Sequence, residues 1–224
     1  MYKSILLAAL LVFGLAFGPA GVHASLIING GFETGTNPPT DDYTTLYADR
    51  ASNDDILGWV VTQRSVDWVN TYWSPQEGHK SIDLSGDTIG AISTTFATIP
   101  GEVYTVTFYM SGNFVGGNTY KRVKVSADKE SKIFSFDRPS DWSLTNMGWT
   151  QKTFIFTADD SSALLTFDSL DNNAFGPALD NITVLGPSPS PPSPSPGAIP
   201  LPGTMWLLGS GLLVLLGWKG KKPQ

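Results

Sequence analysis

Apolar and polar residues alternate through most of the middle of the chain. In Val103-Tyr104-Thr105-Val106-Thr107-Phe108-Tyr109, positions of one parity line one face of a strand and the others line its opposite face. Similar short runs recur as "GWVVTQ", "SVDWVN", "KSIDLSG", "AISTTFATI", "KRVKVSA", "TQKTFIFTA" and "ALLTFDSL", all rich in Val, Ile, Thr and aromatics. Turn-forming residues separate them, as in Pro100-Gly101, Gly116-Gly117-Asn118 and Asp159-Asp160. No stretch keeps a helical period, and no unit repeats at a fixed interval. The pattern predicts an all-β domain of roughly eight to ten strands, a β-sandwich of the jelly-roll kind.

The pattern fails at both ends. Met1-Tyr2-Lys3 precedes an unbroken apolar run from Ile5 to Phe17, followed by Val22-x-Ala24. A basic start, a short apolar core and a small-residue site predict a signal peptide over 1–24, cleaved after Ala24. The run has no polar face and is too short for an ordinary membrane span. After the domain, 25–186, the composition changes abruptly to "GPSPSPPSPSPG", a Pro/Ser linker over 187–198. Proline blocks helix and sheet ladders, so the linker is expected as an extended spacer. Ile199 to Trp218 then forms a stretch of 20 residues without a charge, closed by Lys219, Lys221 and Lys222. Such a stretch predicts a hydrophobic helix spanning a bilayer, with the lysines on the cytoplasmic side.

Charge and composition narrow the chemistry. Between Ser25 and Gly186, 10 Lys and Arg face 20 Asp and Glu, a formal net charge of −10. Phosphate affinity rests on Lys and Arg, so a nucleic-acid partner is excluded. Cysteine is absent, which removes disulfides and Cys-based zinc sites. Past the signal peptide the only histidine is His79, in "EGHKSIDL". One histidine cannot build a three-histidine metal centre, and no Gly-x-Ser-x-Gly elbow accompanies it. No catalytic residue is assigned. Paired carboxylates for glycoside hydrolysis stay open on composition. The visible acidic pairs, Asp41-Asp42, Asp54-Asp55 and Asp159-Asp160, read as solvated turns.

Two resemblances add to this reading. The tail "IPLPGTMWLLGSGLLVLLGWKGKK" resembles the PEP-CTERM sorting signal of Gram-negative bacteria. Its motif reads Pro200-Leu201-Pro202-Gly203-Thr204, without the glutamate of the namesake motif. The resemblance implies an exosortase as partner during export, transient insertion in the inner membrane, and a final place at the cell surface or in the extracellular matrix. Without it, the same tail reads as a stable anchor. The domain, through "LIINGGFETG", "EGHKSIDLSG", "IPGEVYTVTFYMSGN" and "GWTQKTFIFTADDSSALLTFDSLDNNAFGPALDNITV", resembles the choice-of-anchor C family. That family is related to galactose-binding-like domains of plant cell-wall proteins carrying a domain of unknown function.

The second resemblance implies a structural calcium ion shared by the "NGxFE" start and the "LDN" end of the domain. Glu33 and Asp180 would supply carboxylates, and carbonyls near Asn29 and Lys80 would complete the hard-oxygen shell calcium requires. The alternative is a plain turn at Asn29–Glu33 and a strand cap at Asp180. Sugar rings stack on exposed aromatics, which makes Trp68, Tyr72, Trp73 and Trp142 the candidate carbohydrate-binding residues. Trp59 and Trp149, each following a glycine and opening an apolar strand, read as core. The expected function is a non-catalytic surface protein that binds polysaccharide. A polysaccharide hydrolase and a purely structural matrix component are the alternatives.

Overall fold

The computed structural model describes residues 24–189. The expected signal peptide (1–24, apart from Ala24), most of the expected Pro/Ser linker (187–198) and the expected hydrophobic span (199–224), including Pro200–Thr204, lie outside the described residues. Eleven strands make up the domain: β1 Tyr43–Tyr47, β2 Val60–Gln63, β3 Ser65–Val69, β4 Ser81–Asp83, β5 Ala91–Ala97, β6 Val103–Gly112, β7 Tyr120–Ala127, β8 Glu130–Asp137, β9 Thr150–Thr157, β10 Ser162–Ser169 and β11 Pro177–Leu185. Among the described residues no helix is long and apolar enough to cross a membrane.

The strands form two antiparallel sheets. One has six strands in the order β1-β3-β4-β11-β6-β9, the other five in the order β2-β5-β10-β7-β8. Successive strands repeatedly switch sheets, which gives the jelly-roll sandwich expected from the alternation. Among the described residues, the strands of both sheets and the core cluster lie within one compact unit that ends at Pro189 and holds its own hydrophobic core.

The period-two pattern explains the core. Tyr104, Val106, Phe108 and Met110 of β6 point inward against Phe154 and Phe156 of β9 and Leu165 and Phe167 of β10. Phe108 meets Phe134 and Phe167 edge-on, with ring centroids 5.2 Å apart in each pair. Burying such rings supplies most of the driving force for folding.

Three strands, β1, β8 and β11, lie outside the runs read from the sequence. β1 and β8 read as polar in the sequence because each is an edge strand with only part of one face buried. β11 is central rather than marginal, pairing with both β4 and β6.

The N-terminal segment leans on β11. Leu26 N–H donates to the Val184 carbonyl at 2.9 Å, and Ile182 N–H donates to the Gly30 carbonyl at 2.9 Å. A side chain at position 30 would collide with the Ile182 carbonyl, 1.8 Å from a built Cβ, so glycine is required there. Asn29, Phe32 and Asn181 all adopt left-handed backbone at this junction, with φ of 54°, 60° and 47°. For Phe32 this is a costly conformation that its surroundings must enforce. The buried indoles do so: Trp59 Nε1–H donates to the Asn29 carbonyl at 3.1 Å, and Trp68 Nε1–H to the Phe32 carbonyl at 2.9 Å.

Candidate functional site

The outer face of the six-stranded sheet is not an ordinary solvated surface. Outward positions on β3, β4 and β11 carry Asp67, Val69, Ser81, Asp83, Ala178 and Asp180, and of these only Asp67 is not buried. Loops cover this face. Val69, Trp73, Met147 and Ala178 form a small apolar cluster on it, joined by Tyr72, Trp142, Leu144 and Trp149. The segment 70–80, between β3 and β4, supplies much of the cover.

Each end of that segment is tied down. Near β1, Asn70 N–H donates to the Asp42 carbonyl at 2.8 Å and Thr71 Oγ1–H to Asp42 Oδ1 at 2.9 Å. Asp42 is thus an exposed turn residue, as expected, that also anchors the loop. At the other end two carboxylates gather backbone amides. Gln76 and Glu77 N–H donate to Asp180 Oδ2 at 2.8 and 3.0 Å, and His79 and Lys80 N–H donate to Glu33 Oε1 at 2.8 and 2.9 Å. Burial pushes the Asp180 carboxyl up to about 7, against the lowering effect of these hydrogen bonds; the nearby Glu33 charge raises it further.

Between these anchors, Tyr72 and Trp73 stand as a ridge with a depression on each side. One side, about 230 Å³, is bounded by Tyr43, Tyr72, Trp73 and Phe175, with Thr45, Asp67, Asp83, Asp87 and Asn113 among its polar groups. The other, about 350 Å³, runs over Asn70–Pro75 to His79 and Leu144. Tyr43 meets Tyr72 edge-on at 5.6 Å, and Tyr72 meets Trp73 at 5.5 Å, giving a continuous aromatic row.

The first depression has an acidic floor. Asp67 and Asp83 are direct partners in the β3–β4 register and share one face. Asp83 is fully buried. Its Oδ1 accepts from Ser85 and Gly176 N–H at 2.9 and 3.0 Å, and its Oδ2 from Asn113 Nδ2 at 3.0 Å. Gly176 must be glycine, because a Cβ there would lie 2.5 Å from Asp83 Oδ1. Asp67 accepts only from Thr45 Oγ1, at 2.6 Å through Oδ1. Desolvation pushes Asp67 up to about 6 and Asp83 up to about 8, the neighbouring Asp67 charge adding to the second. Beneath the adjoining loops, buried Lys121 donates to the Gly116 and Phe175 carbonyls at 3.2 and 2.6 Å, which fixes the Phe175 wall.

The residues expected from sequence divide sharply. Tyr72 and Trp73 line both depressions. Trp73 is 4% exposed and donates Nε1–H to Ser81 Oγ at 2.7 Å, so it presents only an edge. Trp68 is a correction: its ring, at 0% exposure, is an inward core residue and cannot stack on a sugar. Trp142 lies outside both depressions, packed edge-on against Phe114 at 5.5 Å with Arg138 over its ring. Trp59 is core, as expected, whereas Trp149 belongs to the outer cluster and donates to the Ser74 carbonyl at 3.0 Å. Asp67 and Asp83 were missed, although an aspartate inside "SVDWV" and another inside "SIDLS" are visible departures from strand composition.

Of the four calcium contributors, Glu33 and Asp180 do converge, and Glu77 joins them around Gly31. Asn29 is a correction, because its carbonyl already accepts from Phe32 N–H and Trp59 Nε1–H and its amide holds Thr34 and Leu57. Lys80 turns its N–H, not its carbonyl, toward Glu33. Among the described residues no group of three or more His, Cys, Asp or Glu forms a metal-holding set. Calcium would be held through the Glu33 and Asp180 carboxylates, with Glu77 beside them.

Comparisons with known proteins bear on the whole chain. Residues 198–222 match the PEP-CTERM protein-sorting motif, which marks the protein for export and the cell surface. Halomucin of Haloquadratum walsbyi is 33% identical over 192 residues, covering 83% of this chain but only 2% of that much longer protein. Similar solved structures include a family 61 carbohydrate-binding module in complex with β-1,4-galactotriose, at 13% identity and TM-score 0.45, covering 74% of this chain and 100% of that one. A family 35 carbohydrate-binding module from Clostridium thermocellum gives 12% identity and TM-score 0.42, covering 64% and 99%. The profile described as "Protein of unknown function (DUF642)" matches residues 25–185, nearly all of the sandwich and its outer-face groove, and the chain belongs to that family.

Proposed function

We propose that this is an exported, non-catalytic polysaccharide-binding protein whose ligand lies along the outer face of the six-stranded sheet. The observation that carries this reading is the groove beside Tyr72 and Trp73. Aromatic walls offer apolar faces to the C–H side of a sugar ring, while Asp67, Asn113 and Thr45 offer hydrogen-bonding groups to its hydroxyls. The continuation across the ridge toward His79 suits a chain of several sugar units. Asp83 spends both oxygens on N–H donors, which takes it out of acid–base work, and Asp67 and the exposed Asp87 serve as hydrogen-bonding groups for a bound sugar.

Affinity electrophoresis of residues 25–189 through gels containing neutral, amino or acidic polysaccharides tests the proposal. Retardation by at least one polymer is expected, lost in Tyr72→Ala, with no release of reducing ends. Unchanged mobility in every gel would overturn it.

A structural calcium ion at Glu33 and Asp180 is a second proposal, favoured by the meeting of these two carboxylates with no lysine or arginine side chain paired to either among the described residues. A ligand held only by the folded state stabilises it by about 2.7 kcal/mol at a hundredfold excess over its dissociation constant. Calcium would then raise the melting temperature, and Glu33→Gln would remove most of the rise. Identical melting curves in calcium and in chelator would exclude the ion.

At the other end of the chain, an exosortase is the proposed partner, inserting the tail transiently and processing it near Pro202–Thr204. Alanines at Pro200, Leu201 and Pro202 should leave an intact tail in the inner membrane. An unchanged C-terminal mass and location in that variant would make the tail an ordinary anchor.

A further inference from the structure

We propose that the groove beside Tyr72 takes amino sugars with a free ammonium group, in preference to neutral or acidic sugars, seating the ammonium against Asp67. The inference rests on the groove being the saccharide site and deepens it to a ligand class.

The argument starts from the balance of groups around one cavity. Asp67, Asp83 and Asp87 line it, and no lysine or arginine does. Asp87 accepts Tyr47 Oη–H through Oδ2 at 2.6 Å, and it is exposed, so water serves its other oxygen. Asp83 is held by three N–H donors. Asp67 is different. Thr45 satisfies Oδ1, and no hydrogen bond from the protein reaches Oδ2. A half-buried carboxylate with one free oxygen, beside a second buried carboxylate, seeks a donor that also brings positive charge.

Lys121 does not supply it. Its ammonium feels the field of Asp83 but is spent on the Gly116 and Phe175 carbonyls. Burial raises the Asp67 and Asp83 carboxyls, a shift that a cation bound beside them would counter.

Size and walls point to a saccharide amine rather than a bare ion. The cavity is about 230 Å³, room for one pyranose ring, and Tyr43, Tyr72, Trp73 and Phe175 supply apolar sides. An ammonium placed beside aromatic faces also gains cation–π attraction. The same negative floor repels a uronate or sulfate. A neutral or N-acetylated sugar can donate hydrogen bonds to Asp67 Oδ2 but leaves its charge uncompensated.

Calorimetric titration of residues 25–189 with three trisaccharides separates the outcomes: the glucosamine trimer, the N-acetylglucosamine trimer and the galacturonic acid trimer. The glucosamine trimer is expected to bind at least about tenfold more tightly than the acetylated one, and the uronate trimer not at all. Asp67→Asn should remove that preference while keeping weak binding. Asp137→Asn, on the edge strand β8 of the other sheet, should preserve it, which controls for the net negative charge of the domain. Matching circular dichroism spectra verify that both variants fold.

Equal affinity for the amino and acetylated trimers, or a preference that survives Asp67→Asn, overturns this inference and leaves polysaccharide binding standing. Binding of other glycans without the glucosamine trimer also overturns it. Failure with every glycan, including the polymers used above, removes the saccharide site itself.

Discussion

Asp180 and Asp67 sit on the outer face of the same sheet, both desolvated, yet they do different work. Asp180 is closed: Oδ2 takes two amides from loop 70–80 and Oδ1 takes the Asn181 amide. Asp67 is open, with one hydroxyl donor and a free oxygen at the floor of a cavity. A carboxylate with backbone donors on both oxygens holds structure, and Asp180 keeps one lone pair on Oδ1 for the proposed calcium. A carboxylate left half-filled at a cavity is available to a ligand. The two regions are also linked, because the loop held by Glu33 and Asp180 carries Tyr72 and Trp73, the wall of the groove above Asp67.

The comparison breaks most visibly at Asp180. Asp180→Ala leaves the Gln76, Glu77 and Asn181 amides without their acceptor. A loss of about 3 kcal/mol is expected from unsatisfied buried donors, read by urea denaturation. Saccharide affinity should fall with it, since Tyr72 and Trp73 lose their support. A variant as stable as the parent would show that the clamp is idle.

Acidity acts on both regions together. Asp67, Asp180 and Asp83 are raised to about 6, 7 and 8. Each binds its proton more tightly folded than unfolded, so the folded chain holds more protons across this range. Their contribution to stability is complete below the unfolded carboxyl value near 4 and is lost as pH rises through 6 to 8. The melting temperature should therefore fall between pH 5 and pH 8.5, by several degrees if about 2 kcal/mol survives solvent screening. Asp67→Asn should flatten the part of that fall between pH 4 and 6. A melting temperature that climbs over the same interval would contradict the burial of all three groups.

Trp68→Phe sharpens the division between core and groove. It removes the hydrogen bond to the Phe32 carbonyl and part of a buried ring, a cost of about 1–2 kcal/mol. Saccharide affinity should be unchanged after correction for any unfolded fraction. An affinity loss without a stability loss would return Trp68 to the binding site.

Tyr72→Ala should do the reverse. Losing one stacking face costs about 1.4 kcal/mol or less, close to tenfold in affinity. Its half-buried ring contributes less to stability than the Trp68 indole, so thermal melting should shift little while titration shows the weaker binding.

Much of the fold was legible because alternation has a direct physical reading. A strand with one face in a core must place apolar residues at every second position, and β6, β7 and β10 do so along most of their length. β1 and β8 escaped because edge strands need bury less. Tyr72 and Trp73 were legible as groove residues through aromatic density beside a turn. Trp68 was misjudged in the same run, "DWVNTYW", because composition does not say which parity faces inward; register against Thr44 and Ile82 decides that. Asp67 and Asp83 stand out in the sequence only as aspartates within strands; pairing of β3 with β4 sets them opposite each other.

The sequence by itself determined the all-β class, the turn positions, the absence of disulfides and the C-terminal sorting motif. These follow from local periodicity, composition and short motifs, which need no knowledge of distant neighbours. Only the tertiary structure decided that Glu33 and Asp180, 147 positions apart in the chain, close one clamp, that Asn29 faces the indole of Trp59, and that Asp67 meets Asp83 beneath Tyr72. The physical reason is that a carboxylate's role depends on which donors reach it, and in an antiparallel sandwich those donors arrive from strands and loops far apart along the chain.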